Sequence, residues 1–346
     1  TRLYDRFKAL AVDKDFFKSC LDYTHKKGLL FSCSPFGLRS LNELVEIGPD
    51  AIKIASPEAN HIPLLKECAK YYKKIPIILS SGVCKLSDIE KALEILRSGD
   101  DKDFSKGLEY DIPLPPLTLL HCITFYPAPE DEYNVRCLET LRNIFGIPTG
   151  ISDHSTDPIL VPLLAVAMGG TLLEKHITLS KKTDGLDDPV ALEGEEFTYM
   201  CHCVKQAGVI LEKWKKESED LGGKDGRKYT CTPYGQGLNL NPAQFEIIRQ
   251  LENQYTKEKI LTVLGSGIKK LSKSESQNYG RTNRSLHYTR NIKKGERLLE
   301  SDFAVLRTEK VLSPGLAPDF IEDIKGAVLQ QDVISGQGLK WSDFLS

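Results

Sequence analysis

The chain has 346 residues, 40% of them hydrophobic and 27% charged, and a formal net charge of −2. That length suits one large domain beside a small one, and near-neutral charge gives no electrostatic reason to expect a nucleic-acid partner. No apolar run reaches the roughly eighteen residues of a membrane-spanning helix, so no membrane association is expected.

Nine cysteines are scattered along the chain. Cys33 and Cys122 fall inside apolar strand-like runs, and Cys201-His-Cys203 lacks a second pair at zinc-site spacing. They read as reduced thiols of a cytoplasmic protein. No signal-peptide pattern is present, and the chain begins at Thr1 rather than Met.

In chain order, residues 13–27 read as a helix, with Phe16, Phe17, Cys20, Leu21 and Tyr23 at roughly helical spacing. A strand at 29–34, a helix at 37–45, a strand at 50–56 and a helix at 63–72 follow. Next come a strand at 75–81, a helix at 86–97, a polar loop, a strand at 117–124 and a helix at 133–145. The strands 149–154 and 171–178 bracket a helix at 158–168, and a closing helix spans 197–214. Runs that are apolar on both faces and alternate with helices predict a parallel sheet covered on both sides.

Nearly every strand ends in polar chemistry: Ser34, Lys53 with Ser56, Ser80 with Ser81, Thr124 with Tyr126, Ser152 with His154, and Glu174 with His176. An open doubly wound sheet would concentrate such groups at one switch point. Their spread favours a (β/α)8 TIM barrel, with six of its strands in this chain and the first two expected ahead of Thr1. In a parallel βαβ unit both carboxyl ends share one rim, which would gather Ser152, Asp153, His154, Glu174, Lys175 and His176.

The barrel is assigned to residues 1–214. Residues 215–282 read as insertion and linker, with glycine-rich turns at 222–226 and 233–237 and a helix at 242–254 capped by Asn241. Residues 283–346 form a separate small β-rich unit.

Five motifs carry a family resemblance: His121-Cys-Ile-Thr-Phe-Tyr-Pro-Ala-Pro129, Gly150-Ile-Ser-Asp-His-Ser155, Glu174-Lys-His-Ile-Thr-Leu179, Asn283-Arg-Ser-Leu286 and Asn291-Ile-Lys-Lys-Gly295. In this order they resemble the sialic acid synthase family, and the last unit is similar to its C-terminal antifreeze-like (SAF) domain. The resemblance implies condensation of phosphoenolpyruvate with an N-acetylated, N-acetylmannosamine-like hexosamine, giving a sialic or related nonulosonic acid and phosphate. It also implies a divalent metal, manganese or magnesium, and a domain-swapped homodimer.

By the same resemblance Ser34, Lys53, Ser56, Ser80, Thr124 and Ser152 bind phosphoenolpyruvate, and His154 and His176 hold the metal. Glu58 is the candidate base. Tyr126, Asp187 or its neighbour Asp188, and Arg307 contact the sugar, Arg307 arriving from the partner subunit.

Single residues have blander readings. A strand-end histidine is more often structural than a ligand, although two on adjacent strands inside matched motifs reverse that. Lys53 between isoleucines is poor core filler, since an unpaired buried ammonium is costly. Glu174 and Lys175 read as a simple ion pair under the rim, and His121 as a strand residue packed beneath the site. Two other functions stand beside the synthase: a non-catalytic, truncated relative that binds carbohydrate or a partner, and a Schiff-base aldolase using Lys53.

Overall fold

Six strands form one parallel sheet in sequential order: β1 (Ser32–Cys33), β2 (Ala51–Ile54), β3 (Ile77–Ser80), β4 (Leu117–Cys122), β5 (Thr149–Asp153) and β6 (Leu173–Lys175). They belong to a computed structural model that describes residues 2–100, 114–220, 238–308 and 311–345. The glycine-rich turns expected at 222–226 and 233–237 lie outside the described residues.

Helices α1 (Arg2–Ala9) and α2 (Lys14–Lys26) precede the sheet. The strands are then connected by α3 (Leu38–Ile47), α4 (Ile62–Ala69), α5 (Leu86–Arg97), α6 (Cys137–Phe145) and α7 (Leu160–Ala167). Local chemistry sets the boundaries. Asp13 caps α2 by accepting from the Phe16 amide at 2.9 Å, and α3 ends at Gly48, whose φ of 76° a Cβ would strain. The helix expected over 133–145 begins only at Cys137, because residues 130–132 form a 3-10 turn and Asn134 takes a φ of 49°.

Period-two alternation assigns the two faces of the sheet. Ile52, Ile54, Ile77, Leu79, Leu117 and Leu119 pack outward against Leu41, Leu64, Leu65 and Leu93 of the surrounding helices. Ala51, Ile78 and Leu120 form a smaller cluster on the inner face. The sheet curls around that inner face. In a flat sheet β2 and β6 would stand about 19 Å apart, four strand spacings, yet Lys53 Nζ of β2 lies 2.9 Å from Glu174 Oε2 of β6. Six strands thus make an arc of a TIM barrel, and among the described residues β1 and β6 do not pair with each other.

The closing helix α8 (Gly194–Asp220) is longer than expected. Beyond it, α9 (Pro242–Leu251) has the anticipated Asn241 cap, accepting from the Gln244 amide at 2.8 Å. α9 and α10 (Lys257–Leu264) place Ile247, Ile248, Leu251, Ile260, Val263 and Leu264 in one core with Leu160 and Leu164 of α7. Helices α9 and α10, within the segment read as insertion and linker, therefore pack on the outer layer. Helix α11 (Lys273–Ser276) leads to the antiparallel pair β7 (Arg284–Tyr288) and β8 (Phe303–Arg307), whose unit has its own core around Leu286, Tyr288, Leu298 and Leu329 and a last helix, α12 (Ile321–Ile324). Among the described residues no helix is long and apolar enough to cross a membrane.

Adjacent residues Glu174 and Lys175 do not pair with each other, because alternation points them to opposite faces. Glu174 faces inward to Lys53, whereas Lys175 faces outward to Asp153 Oδ2 at 2.6 Å and to the Ser155 carbonyl at 2.6 Å. Both side chains of this outer pair are buried. Removing one partner of such a pair strands the other charge, so Lys175→Met is expected to lower unfolding free energy by about 3–5 kcal/mol in urea titrations.

Candidate active site

The inner face at the carboxyl ends of the strands carries one continuous polar network. Lys53 is ion-paired to Glu174, and Ser152 Oγ donates to Glu174 Oε1 at 2.7 Å. Burial opposes charge on Glu174, but the Lys53 ammonium and the Ser152 hydroxyl outweigh it and hold the carboxyl below its ordinary range. Parallel register makes this possible by setting Ser152 opposite Glu174 and Cys122 opposite Ser152.

Beside this network is a small cradle. Ser56 Oγ accepts from the Gly82 amide at 2.9 Å. A Cβ on Gly82 would stand 2.1 Å from Thr124 Oγ1 and 3.1 Å from Ser56 Oγ, so only glycine leaves the cradle open. Ser80 Oγ and Thr124 Oγ1 are buried with no hydrogen-bond partner. Orphaned buried hydroxyls are costly unless a ligand satisfies them.

His154 and His176 meet under Tyr126. The two imidazole centroids are 5.3 Å apart, and the Tyr126 ring lies 4.3 Å from His154 and 5.8 Å from His176. His154 Nδ1 donates to the Ile123 carbonyl at 2.7 Å, which leaves Nε2 as the nitrogen available to a ligand. Burial disfavours charge on this ring, but Cys122, the Ile123 carbonyl and Asp153 prevail and raise its pKa to about 9. Burial and the neighbouring His154 push His176 the other way. A cation bound at His154 would displace the proton that this raised pKa favours. Asp187 Oδ2 is 3.7 Å from His176 Nδ1. Asp188 instead organises its own loop, accepting from Thr178 at 2.8 Å and from the Gly185 amide at 2.7 Å, so Asp187 is the one left facing the site.

The mouth is a cavity of about 550 Å³ lined by Phe36, Thr124, Tyr126, Asn278, Arg281 and Arg307 among others. Arg307, at the end of β8, reaches this mouth from the C-terminal unit.

Ser34, the residue after β1, lines a cleft with Lys14, Phe17 and Glu43. Glu58 is not among the residues that line the mouth. It is fully buried, and both its oxygens are engaged: Oε1 by Arg284 Nη2 at 3.0 Å, and Oε2 by Arg284 Nε at 2.7 Å and His61 Nδ1 at 2.9 Å. Burial opposes its charge, but His61 and Arg284 win and keep the carboxyl below its ordinary range. A carboxylate held this way is a poor proton acceptor.

Sequence reading put Glu174 on the rim but gave it no role beyond an ion pair with Lys175, and it missed Cys122, Gly82, Asn278 and Arg281. Gly82 had a usable signal, a glycine directly after a strand ending in two serines. The other three become neighbours of the site only through folding. His121 is buried behind β4 as expected; burial and Lys269 push its pKa down to about 3, and its Nε2 donates to the Tyr133 carbonyl at 2.7 Å.

The NeuB family profile matches residues 1–216, and the SAF domain profile matches residues 283–345. The chain belongs to the NeuB family. The N,N'-diacetyllegionaminic acid synthase of Campylobacter jejuni is 30% identical over 93% of this chain and 77% of its own length. An uncharacterized protein of Methanocaldococcus jannaschii is 33% identical over 62% of this chain, which spans 58% of that protein. The crystal structure of the spore coat polysaccharide biosynthesis protein spsE from Bacillus subtilis superposes with a TM-score of 0.71 at 27% identity, covering 94% of this chain and 76% of that one.

The orphaned hydroxyls make a sharp expectation for this NeuB-family chain. Ser80→Ala should leave thermal stability unchanged or raised while weakening phosphoenolpyruvate binding about tenfold in calorimetry, because it deletes an unsatisfied polar group that only a ligand would use. Gly82→Ala should abolish that binding.

A second expectation concerns pH. Since Glu58 is depressed in the folded state, its stabilisation is complete above the unfolded value of about 4.3 and is lost as pH falls through the lower folded value. Urea midpoints should therefore converge between wild type and Glu58→Gln below about pH 4 and differ most near neutrality.

Proposed function

We propose that this protein condenses phosphoenolpyruvate with an N-acetylated hexosamine to give a nonulosonic acid and phosphate. The observation that carries the reading is the cradle: Lys53, two unsatisfied hydroxyls and an open glycine face, directly beside two adjacent imidazoles. Family membership and the printed activity of the Campylobacter relative support it.

In the proposed reaction the methylene carbon of phosphoenolpyruvate bonds to the aldehyde carbon, and the carbonyl electron pair moves to oxygen and takes a proton. Water adds at the carbon bearing phosphate, and its C–O bond breaks to release phosphate. Lys53 is the point charge for the phosphate or carboxylate; Ser56, Ser80 and Thr124 donate short hydroxyl bonds that let the anion approach the strand ends, and Ser152 joins them once its hydroxyl turns from Glu174 to the anion. Lys53 Nζ is already engaged by Glu174 at 2.9 Å, which favours this chemistry over a Schiff base. Tyr126, Asp187 and Arg307 surround the sugar.

His154 and His176 would hold a divalent ion, which at His154 Nε2 would take the place of a proton. A bound ion supplies Lewis acidity at the aldehyde oxygen. Imidazole donors suit transition ions better than magnesium, which favours manganese. A domain-swapped homodimer is proposed on the resemblance.

The test is phosphate release from phosphoenolpyruvate with a panel of N-acetylated hexosamines. Release should require both substrates, fall about a hundredfold or more with chelator, and recover better with manganese than with magnesium. Borohydride trapping of a Lys53 adduct would sink this reading.

A further inference from the structure

The turn that follows β3 forms one wall of the cradle, and its backbone is held by a distant part of the chain. Lys269 and Glu275 lie in the stretch between α10 and β7, Glu275 within α11. Both are buried, at 7% and 1% exposure. Lys269 Nζ donates to the Ser81 carbonyl at 3.1 Å, and Glu275 Oε1 accepts from the Val83 amide at 2.5 Å. The other oxygen, Oε2, accepts from the Ser272 amide at 3.1 Å, so the carboxylate bridges the turn to the chain around α11.

Peptide geometry decides what these bonds do. In a trans peptide the carbonyl and the N–H point to opposite sides. Lys269 holds the Ser81 carbonyl on one side of the Ser81–Gly82 plane, and on the other side the Gly82 amide donates to Ser56 Oγ in the cradle. A hydroxyl that accepts from an amide still has its own proton to donate to an anion. Val83, the next residue, is fully buried and takes a φ of 46°, a left-handed conformation that β-branched side chains rarely adopt. Such a conformation persists only where its surroundings over-determine it. Glu275 on the Val83 amide supplies that constraint.

We propose that Lys269 and Glu275 are positioning residues that clamp the Ser81-Gly82-Val83 turn from the side away from Ser56, and so set how well the cradle binds phosphoenolpyruvate. Neither lines the cavity mouth. The proposal rests on the function proposed above and extends the site to residues of the segment read as linker.

The test is calorimetry with phosphoenolpyruvate and steady-state kinetics on Glu275→Gln and Lys269→Met in the full chain. Glutamine has one acceptor oxygen, so it cannot satisfy both the Val83 and the Ser272 amides. Each variant should weaken phosphoenolpyruvate binding about tenfold and raise its KM to match, while KM for the hexosamine stays within about twofold. In a Val83→Gly background the Glu275→Gln penalty should shrink to about twofold or less, because glycine holds a left-handed φ without strain. Lys269→Met keeps every backbone amide bonded, so it carries the test if Glu275→Gln does not fold.

Phosphoenolpyruvate binding within about twofold of wild type in both variants, with only thermal stability lowered, would make these residues structural and overturn the clamp. An equal rise in both KM values would overturn it too, as would a Glu275→Gln penalty undiminished by Val83→Gly. If the wild-type chain binds and condenses nothing, the functional reading fails separately. Amide hydrogen exchange over residues 80–84 then judges the clamp, which is refuted if Glu275→Gln and Lys269→Met leave their protection unchanged.

Discussion

The curl of the parallel sheet is the constraint from which the rest of the structure follows. Lys53 and Glu174 are separated by 121 residues in the chain and by three strands in the sheet, yet their charged groups touch. Only a sheet bent around its inner face brings them together. Once bent, it converges every inward residue near the strand ends on one volume, and Lys53, Ser80, Cys122, Ser152 and Glu174 are all inward by alternation. The outward residues one position away do different work: Asp153 and Lys175 form a buried pair that braces β5 and β6 from behind, where the helices cover it.

Charge within the site is arranged in layers. At the bottom, Lys53 is balanced by Glu174, so the free protein does not bury a bare ammonium. Hydroxyls without partners lie beside it, ready to satisfy an anion. Above them the two histidines differ in basicity because burial acts on both but Cys122 and Asp153 favour charge only on His154. At the mouth Arg281 and Arg307 add positive charge where substrates would enter. A small anion would thus meet cations on approach and donors at the end of its path.

The C-terminal unit has its own small core, so its fold does not require the barrel. Its placement does. Asn60, Val83 and Lys91 of the barrel bond to Arg284, Asn283 and Asp319 of that unit, and the Glu58 fork lies among them. The fully buried carboxylate directly after β2 is engaged at both oxygens, by Arg284 and His61.

Much of this was legible in the residues. Six apolar runs alternating with amphipathic ones dictated six parallel strands in order, because period and length are local properties of a chain. Polar strand ends pointed to a barrel rim, and Asn241 marked the start of its helix. The motifs brought Lys53, Ser80, Thr124, Ser152, His154 and His176 to notice, and all of these lie on or beside one network. The partners of Glu58 could not be placed this way. Which distant group claims a strand-end side chain depends on the folded chain. Glu58 has its arginine 226 residues away, and that ion pair has no local signature. The sequence by itself determined the elements, their order and the chemical types gathered at the rim; only the tertiary structure decided which groups are already paired and which remain for a ligand, because pairing is set by long-range distances that residue spacing does not encode.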